Sequence, residues 1–130
     1  MNIRFNDEEG TILDVSETPI LILNNEKIEF SLDKGLSIFN IDFINRELAK
    51  KDFEKLKDLL EGRGFISIDD TLVDKGRLVG VSANEVRCSI TIILDNGVIH
   101  EIRFENGQKT RNAYEKILTN INKYGMLLEL

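Results

Sequence analysis

One cysteine, Cys88, and one histidine, His100, are the most reactive side chains in this chain of 130 residues. Their number limits their chemistry. A lone cysteine excludes an internal disulfide framework, and a lone histidine excludes a multi-histidine metal site. The strand register derived below puts both on an apolar face, Cys88 beside Ile90 and Phe104, His100 beside Ile92, Val98 and Ile102. A histidine there could titrate near neutral pH and serve as acid, base or pH sensor. Its simpler role is a hydrogen bond at the margin of a sheet. A reactive thiol needs a depressed pKa and access to solvent, and the neighbours Ile90 and Phe104 would supply neither, so a structural role suits Cys88. The two lie near opposite ends of one hairpin, too far apart for a dyad at roughly 3.3 Å per strand residue.

Asp69, Asp70 and Asp74 form the one tight acidic cluster outside the first quarter of the chain. Carboxylates around a turn could hold a hard cation, but the alternation and closing glutamate of a calcium loop are missing, and turn capping accounts for them. Gly62-Arg63-Gly64 follows a helical stretch instead of preceding one, so it reads as a helix stop and not as a phosphate cradle. No Walker loop, dinucleotide fingerprint or nucleophile elbow is present. Without mutually positioned catalytic groups the chain reads as non-enzymatic, with no cofactor and no metal.

Glycine-ended tripeptides organise the elements around these residues: Glu8-Glu9-Gly10, Asp33-Lys34-Gly35, Asp74-Lys75-Gly76, Asp95-Asn96-Gly97 and Glu105-Asn106-Gly107. A three-residue hairpin loop ends in a left-handed residue, which glycine supplies without steric cost. Over 95–97 such a loop pairs Ile92 with His100 and Ile90 with Ile102, and leaves Thr91 opposite Glu101 on the other face. A two-residue loop would mix core and solvent residues on each face, so the longer loop is favoured. That register also puts Ile93 and Ile99 together on the polar face. The same arithmetic sets Phe5 against Leu13 and Ile3 against Val15, Ile22 against Ile28, Phe30 against Ile38 and Leu32 against Leu36. It makes residues 2–39 an antiparallel meander. A weaker hairpin around Asp74 would set Leu72 against Leu78.

Two helical stretches interrupt the strands. From about Asp42 to Glu61 an apolar stripe runs through Ile44, Leu48, Ala49, Phe53, Leu56 and Leu60. Asp52 falls inside it, as though capping a second helix after a break at Lys50-Lys51. A later helix capped by Thr110 has Ala113, Ile117, Ile121 and Tyr124 on one side, and Gly125 is placed to end it. Residues 126–130 read as a short edge strand. The sum is a single α+β domain over 1–130, an antiparallel β-meander or strongly curved sheet with two amphipathic helices.

Charge then narrows the function. The net charge is −6, and the first 33 residues carry all of it. The excess sits on Asp7, Glu8, Glu9, Asp14, Glu17, Glu26, Glu29 and Asp33 against Arg4 and Lys27. An acidic field repels phosphate, which argues against direct nucleic-acid binding and for a basic protein partner. No apolar run approaches the roughly 20 residues of a membrane span, and no signal peptide is evident, which points to the cytoplasm. In size, charge and lack of catalytic motifs the chain resembles the small acidic immunity and inhibitor proteins that bacteria use against basic toxins, often nucleases. Its Ile-, Asn- and Lys-rich vocabulary suits an AT-rich bacterial or phage genome. The resemblance implies an inhibitor that occludes a basic toxin or nuclease through Asp7, Glu8, Glu9, Asp14, Glu17, Glu26 and Glu29. The alternative is a small-ligand or regulatory domain with a pocket near His100.

Overall fold

A computed structural model describes residues 1–32, 38–122 and 127–130. The chain forms two compact units, Met1–Arg77 and Leu78–Leu130. Both are built of antiparallel strands, and each carries one helix, an α+β architecture.

The first unit opens with β1 (Asn2–Arg4) paired to β2 (Ile12–Asp14) as a two-stranded sheet of its own. Ile3 lies opposite Leu13 and the Phe5 amide donates to the Thr11 carbonyl, so the expected faces hold but the register moves by two residues. The cause is Asp7. Its carboxylate accepts from the Thr11 amide at 2.8 Å and the Thr11 hydroxyl at 2.5 Å, closing the loop tighter than its glycine alone would. Next come β3 (Ile20–Asn24), β4 (Lys27–Ser31), β5 (Ile38–Asp42), β6 (Phe65–Ile68) and β7 (Thr71–Asp74), in a sheet ordered β5-β4-β3-β7-β6. The β3–β4 turn has two residues, not three, with Asn25 in the left-handed region and Leu23 opposite Ile28. β3 is central, and Ile20 and Leu21, on opposite faces, are both buried, so alternation could not choose its register. Phe30 pairs with Phe39, not Ile38. The expected turn at Asp33-Lys34-Gly35 and the Leu32–Leu36 pairing lie outside the described residues.

The Asp74 hairpin does not form. β7 is already flanked by β3 and β6, and Asp74 instead accepts from the Gly76 amide at 2.9 Å as the chain makes a 3-10 turn over Lys75–Arg77. α1 (Arg46–Glu61) is continuous, with Asn45 accepting from the Leu48 amide as its N-cap. It lays Ala49, Phe53, Leu56 and Leu60 on Leu21, Leu23, Ile28, Phe30 and Leu72, with Phe5 edge-on to Phe30. Ile44 and Leu48 remain exposed. Asp52 is no cap. It is 5% exposed, and its two oxygens accept from the Asn6 amide at 2.7 Å and the Asn6 side-chain amide at 2.9 Å.

In the second unit β8 (Leu78–Asn84), β9 (Ser89–Leu94) and β10 (Ile99–Arg103) lie in the order β10-β9-β8. The β9–β10 register is the expected one, Ile92 to His100, Ile90 to Ile102 and Ile93 to Ile99, with Gly97 left-handed in the turn. α2 (Gly107–Ile121) packs against β8 and β9. Its Thr110 and Ile117 are buried, as are Ile90, Ile92, Leu94 and Ile102 of the sheet. Its N-cap is Asn106 instead of Thr110. Asn106 accepts from the Lys109 amide at 2.8 Å, while the Thr110 hydroxyl turns back to the Asn106 carbonyl. Glu105-Asn106-Gly107 is thus a helix start and not a hairpin turn. Tyr124, Gly125 and Met126 lie outside the described residues, and residues 127–130 are not in a strand. Among the described residues no helix is long and apolar enough to cross a membrane.

Candidate functional site

A braced surface feature of the second unit is the four-residue turn Glu85–Cys88 between β8 and β9, set beside the start of α2. Several contacts pin its base. The Asn84 side chain accepts from the Arg87 amide at 3.0 Å, and the Cys88 carbonyl accepts from the Phe104 amide at 2.7 Å. Glu85 takes two hydrogen bonds from Arg111 of α2, at 2.5 Å from Nε and 2.8 Å from Nη2. The pair holds the Glu85 carboxyl below its ordinary range and raises the Arg111 guanidinium above its own, first through these hydrogen bonds. Bidentate pairing of this kind fixes geometry as well as charge.

Gly107 lets the two elements approach. A Cβ there would stand 3.0 Å from the Glu85 carbonyl oxygen, so a side chain would require turn or helix to give by a few tenths of an ångström. Cys88 closes the turn with φ at +54°, a left-handed conformation unusual for a cysteine. Its Sγ sits 3.5 Å from the Glu85 carbonyl oxygen, so the thiol serves the turn's own geometry.

Above this base the turn displays two side chains. Val86 is 94% exposed. Arg87 is exposed, and its guanidinium has no partner among the described residues. Neighbouring carboxylates are neutralised: Glu85 by Arg111, and Glu105 by Lys109, whose hydrogen bond lowers the Glu105 pKa. The first turns of α2 add exposed Gln108 and Asn112, bonded to each other at 2.9 Å. A cation without a partner among the described residues, on a braced, amide-rich turn, is an arrangement suited to a polyanion with hydrogen-bonding edges.

The seven carboxylates expected to form an acidic contact surface divide by role. Asp7 closes its own loop. Asp14 accepts from the Ser16 hydroxyl at 2.7 Å, the Ser16 amide at 3.0 Å and the Met1 amino group at 2.9 Å, which together hold its pKa at about 2. Glu29 accepts from the Asn24 side chain at 2.9 Å. Glu8 and Glu9 are exposed in the β1–β2 loop, Glu17 is exposed in a 3-10 turn, and Glu26 is half-buried between β3 and β4. Turn and cap geometry accounts for Asp7 and Asp14, and a cross-strand hydrogen bond for Glu29.

His100 is half-buried on β10 opposite Ile92. A cleft of about 90 Å³ lies in the first unit, where Ile3, Arg4, Asn6, Asp52, Lys55 and Leu59 line it, and His100 is not among its walls. A second cleft of about 440 Å³, lined by residues 4–10, does not include His100 either. Among the described residues no group of three or more His, Cys, Asp or Glu could share a metal, and Asp69, Asp70 and Asp74 work separately. Asp69 is a left-handed turn residue, Asp70 pairs with Arg46 at 3.5 Å, and Asp74 caps the turn after β7. The Glu85–Cys88 turn was missed in the sequence because Val86 and Arg87 are unremarkable by type. Only the contacts beneath them single them out.

No protein-family model and no curated protein matches the sequence. Among solved structures the chain is similar to the LytTr DNA-binding domain of a protein described as a methyl-accepting/DNA response regulator from Bacillus cereus. The fold is shared. The TM-score is 0.55 at 14% identity, over 90% of this chain and 95% of that one. This likeness overturns the expectation of an inhibitor or immunity-type protein occluding a basic toxin or nuclease. It also overturns the expected basic protein partner and the exclusion of nucleic acid. Those readings leaned on net charge, which governs solubility and long-range steering but not architecture.

Proposed function

We propose that the chain is a DNA-binding module whose contact surface includes the Glu85–Cys88 turn and the first turns of α2. The observation that carries this reading is the likeness, over nearly the full length of both chains, to a domain named for DNA binding. The unpaired Arg87 on a braced turn gives the reading a local anchor. With a net charge of −6 the chain cannot hold DNA by bulk attraction, so affinity must come from a few placed contacts. The same reading makes the chain non-catalytic and places it in the cytoplasm, where bacterial DNA is found.

The test is fluorescence anisotropy of the full chain with a random-sequence duplex pool, enriched over several rounds at low salt. Enrichment of a defined sequence, weakened on the order of tenfold by Arg87→Ala, supports the proposal. Failure to retain any duplex at low salt overturns it.

A further inference from the structure

Val86 and Arg87 stand side by side on a turn whose base is fixed from three directions, by Asn84, by the Phe104 amide and by Arg111. An aliphatic side chain 94% exposed adds nothing to the core, and a guanidinium without a partner among the described residues adds little to the surface. Rigid backbone beneath unspent side chains is the arrangement that lowers the ordering cost of binding.

Resting on the DNA-binding reading, we infer that Val86 and Arg87 read a thymine–guanine step in the major groove, Val86 against the thymine methyl and Arg87 against the guanine edge. Guanine presents O6 and N7 as paired acceptors that match a guanidinium fork, and thymine is the base that presents a methyl group there. Successive Cα atoms lie about 3.8 Å apart and successive bases of one strand about 3.4 Å, so adjacent residues can address adjacent bases. A phosphate contact would leave Val86 without a role. The two side chains together call for a base edge carrying both an apolar and an accepting group within one step.

The experiment takes the duplex enriched above and alters single atoms of it. Deoxyuridine in place of the contacted thymidine removes only the methyl, and 7-deazaguanine removes only N7. For the wild-type chain the first change weakens binding about fourfold and the second on the order of tenfold. Val86→Ala then becomes indifferent to the uracil substitution and Arg87→Ala to the deaza substitution, while each keeps its response to the other. Both positions are exposed, and circular dichroism checks that the variants fold. If a duplex is bound but the analogues affect the variants as they affect wild type, the inference is overturned and DNA binding stands. An enriched duplex with no thymine beside a guanine overturns it likewise. If no duplex is enriched at all, the DNA-binding reading fails first and this inference falls with it.

Discussion

Asp52 shows how a residue's type and its role can diverge. In the sequence it interrupts an apolar stripe and looks like a cap, since local patterning knows only neighbours along the helix. Its partner, Asn6, is 46 positions away. The buried carboxylate takes two hydrogen bonds from Asn6 and ties the β1–β2 loop to α1. Asp52→Ala leaves the Asn6 amide without its acceptor and is expected to cost about 2 kcal/mol in urea denaturation, while Lys51→Ala on the solvated side costs little. Asp14 is a second residue whose work is local. Its pKa falls from 3.8 to about 2 through Ser16 and the Met1 amino group. A depressed carboxylate contributes stability that is present above its unfolded pKa and lost as pH falls through the folded one. Melting temperatures of wild type should therefore drop between pH 3.8 and about 2 more than those of Asp14→Asn. Equal acid sensitivity would remove Asp14 from the account.

At the scale of elements, legibility depended on whether a strand has one buried face or two. β9 and β10 alternate cleanly, and their register was readable from Ile90, Ile92, His100 and Ile102. β3 is apolar from Ile20 to Leu23 and buried on both faces, so its register followed from the two-residue turn at Asn25 and not from its pattern. β7 was lost for a further reason. A hairpin reading assumes sequential partners, and β7 pairs backwards with β3. Both helix stripes were visible, but their starts were not, because asparagine at 45 and 106 competes with Thr110 and Asp52 on propensity alone. Asn106→Ala should destabilise the chain by about 1 kcal/mol, while Asn112→Ala, inside the helix, should not. Gly107→Ala makes a sharper case. Alanine is the better helix former, yet its Cβ would meet the Glu85 carbonyl at 3.0 Å. The expected result is a loss of about 1–2 kcal/mol by thermal denaturation, against the propensity trend. It should also weaken any DNA contact made by Arg87. A gain in stability would show that the turn and α2 yield easily to each other.

For the whole molecule, the α+β class was legible because amphipathic helices and alternating strands are written locally, whereas the arrangement of three sheets depends on pairings between distant segments. Function was least legible, and charge misdirected it. The acidic excess lies entirely in the first unit, while Leu78–Leu130 is balanced, and net charge reports neither which groups are already paired nor which point outward. With Glu85 and Glu105 set against Arg111 and Lys109, the exposed Arg87 guanidinium is left without a partner among the described residues, which is the local charge the DNA-binding proposal uses. The acidic first unit still opposes phosphate at long range, and this separates two kinds of substitution. Glu8→Gln with Glu9→Gln should strengthen binding to every duplex by a similar small factor that fades as salt rises, since it acts through a screened field. Arg87→Ala should weaken the enriched duplex far more than a scrambled one, and leave the slope of log affinity against log salt nearly unchanged, since a base contact displaces no phosphate counterion. Anisotropy titrations of both duplexes across a salt series measure all of these quantities. If Arg87→Ala lowers affinity for the two duplexes equally and reduces the salt slope by about one, Arg87 grips the backbone, and sequence must be read elsewhere on the chain.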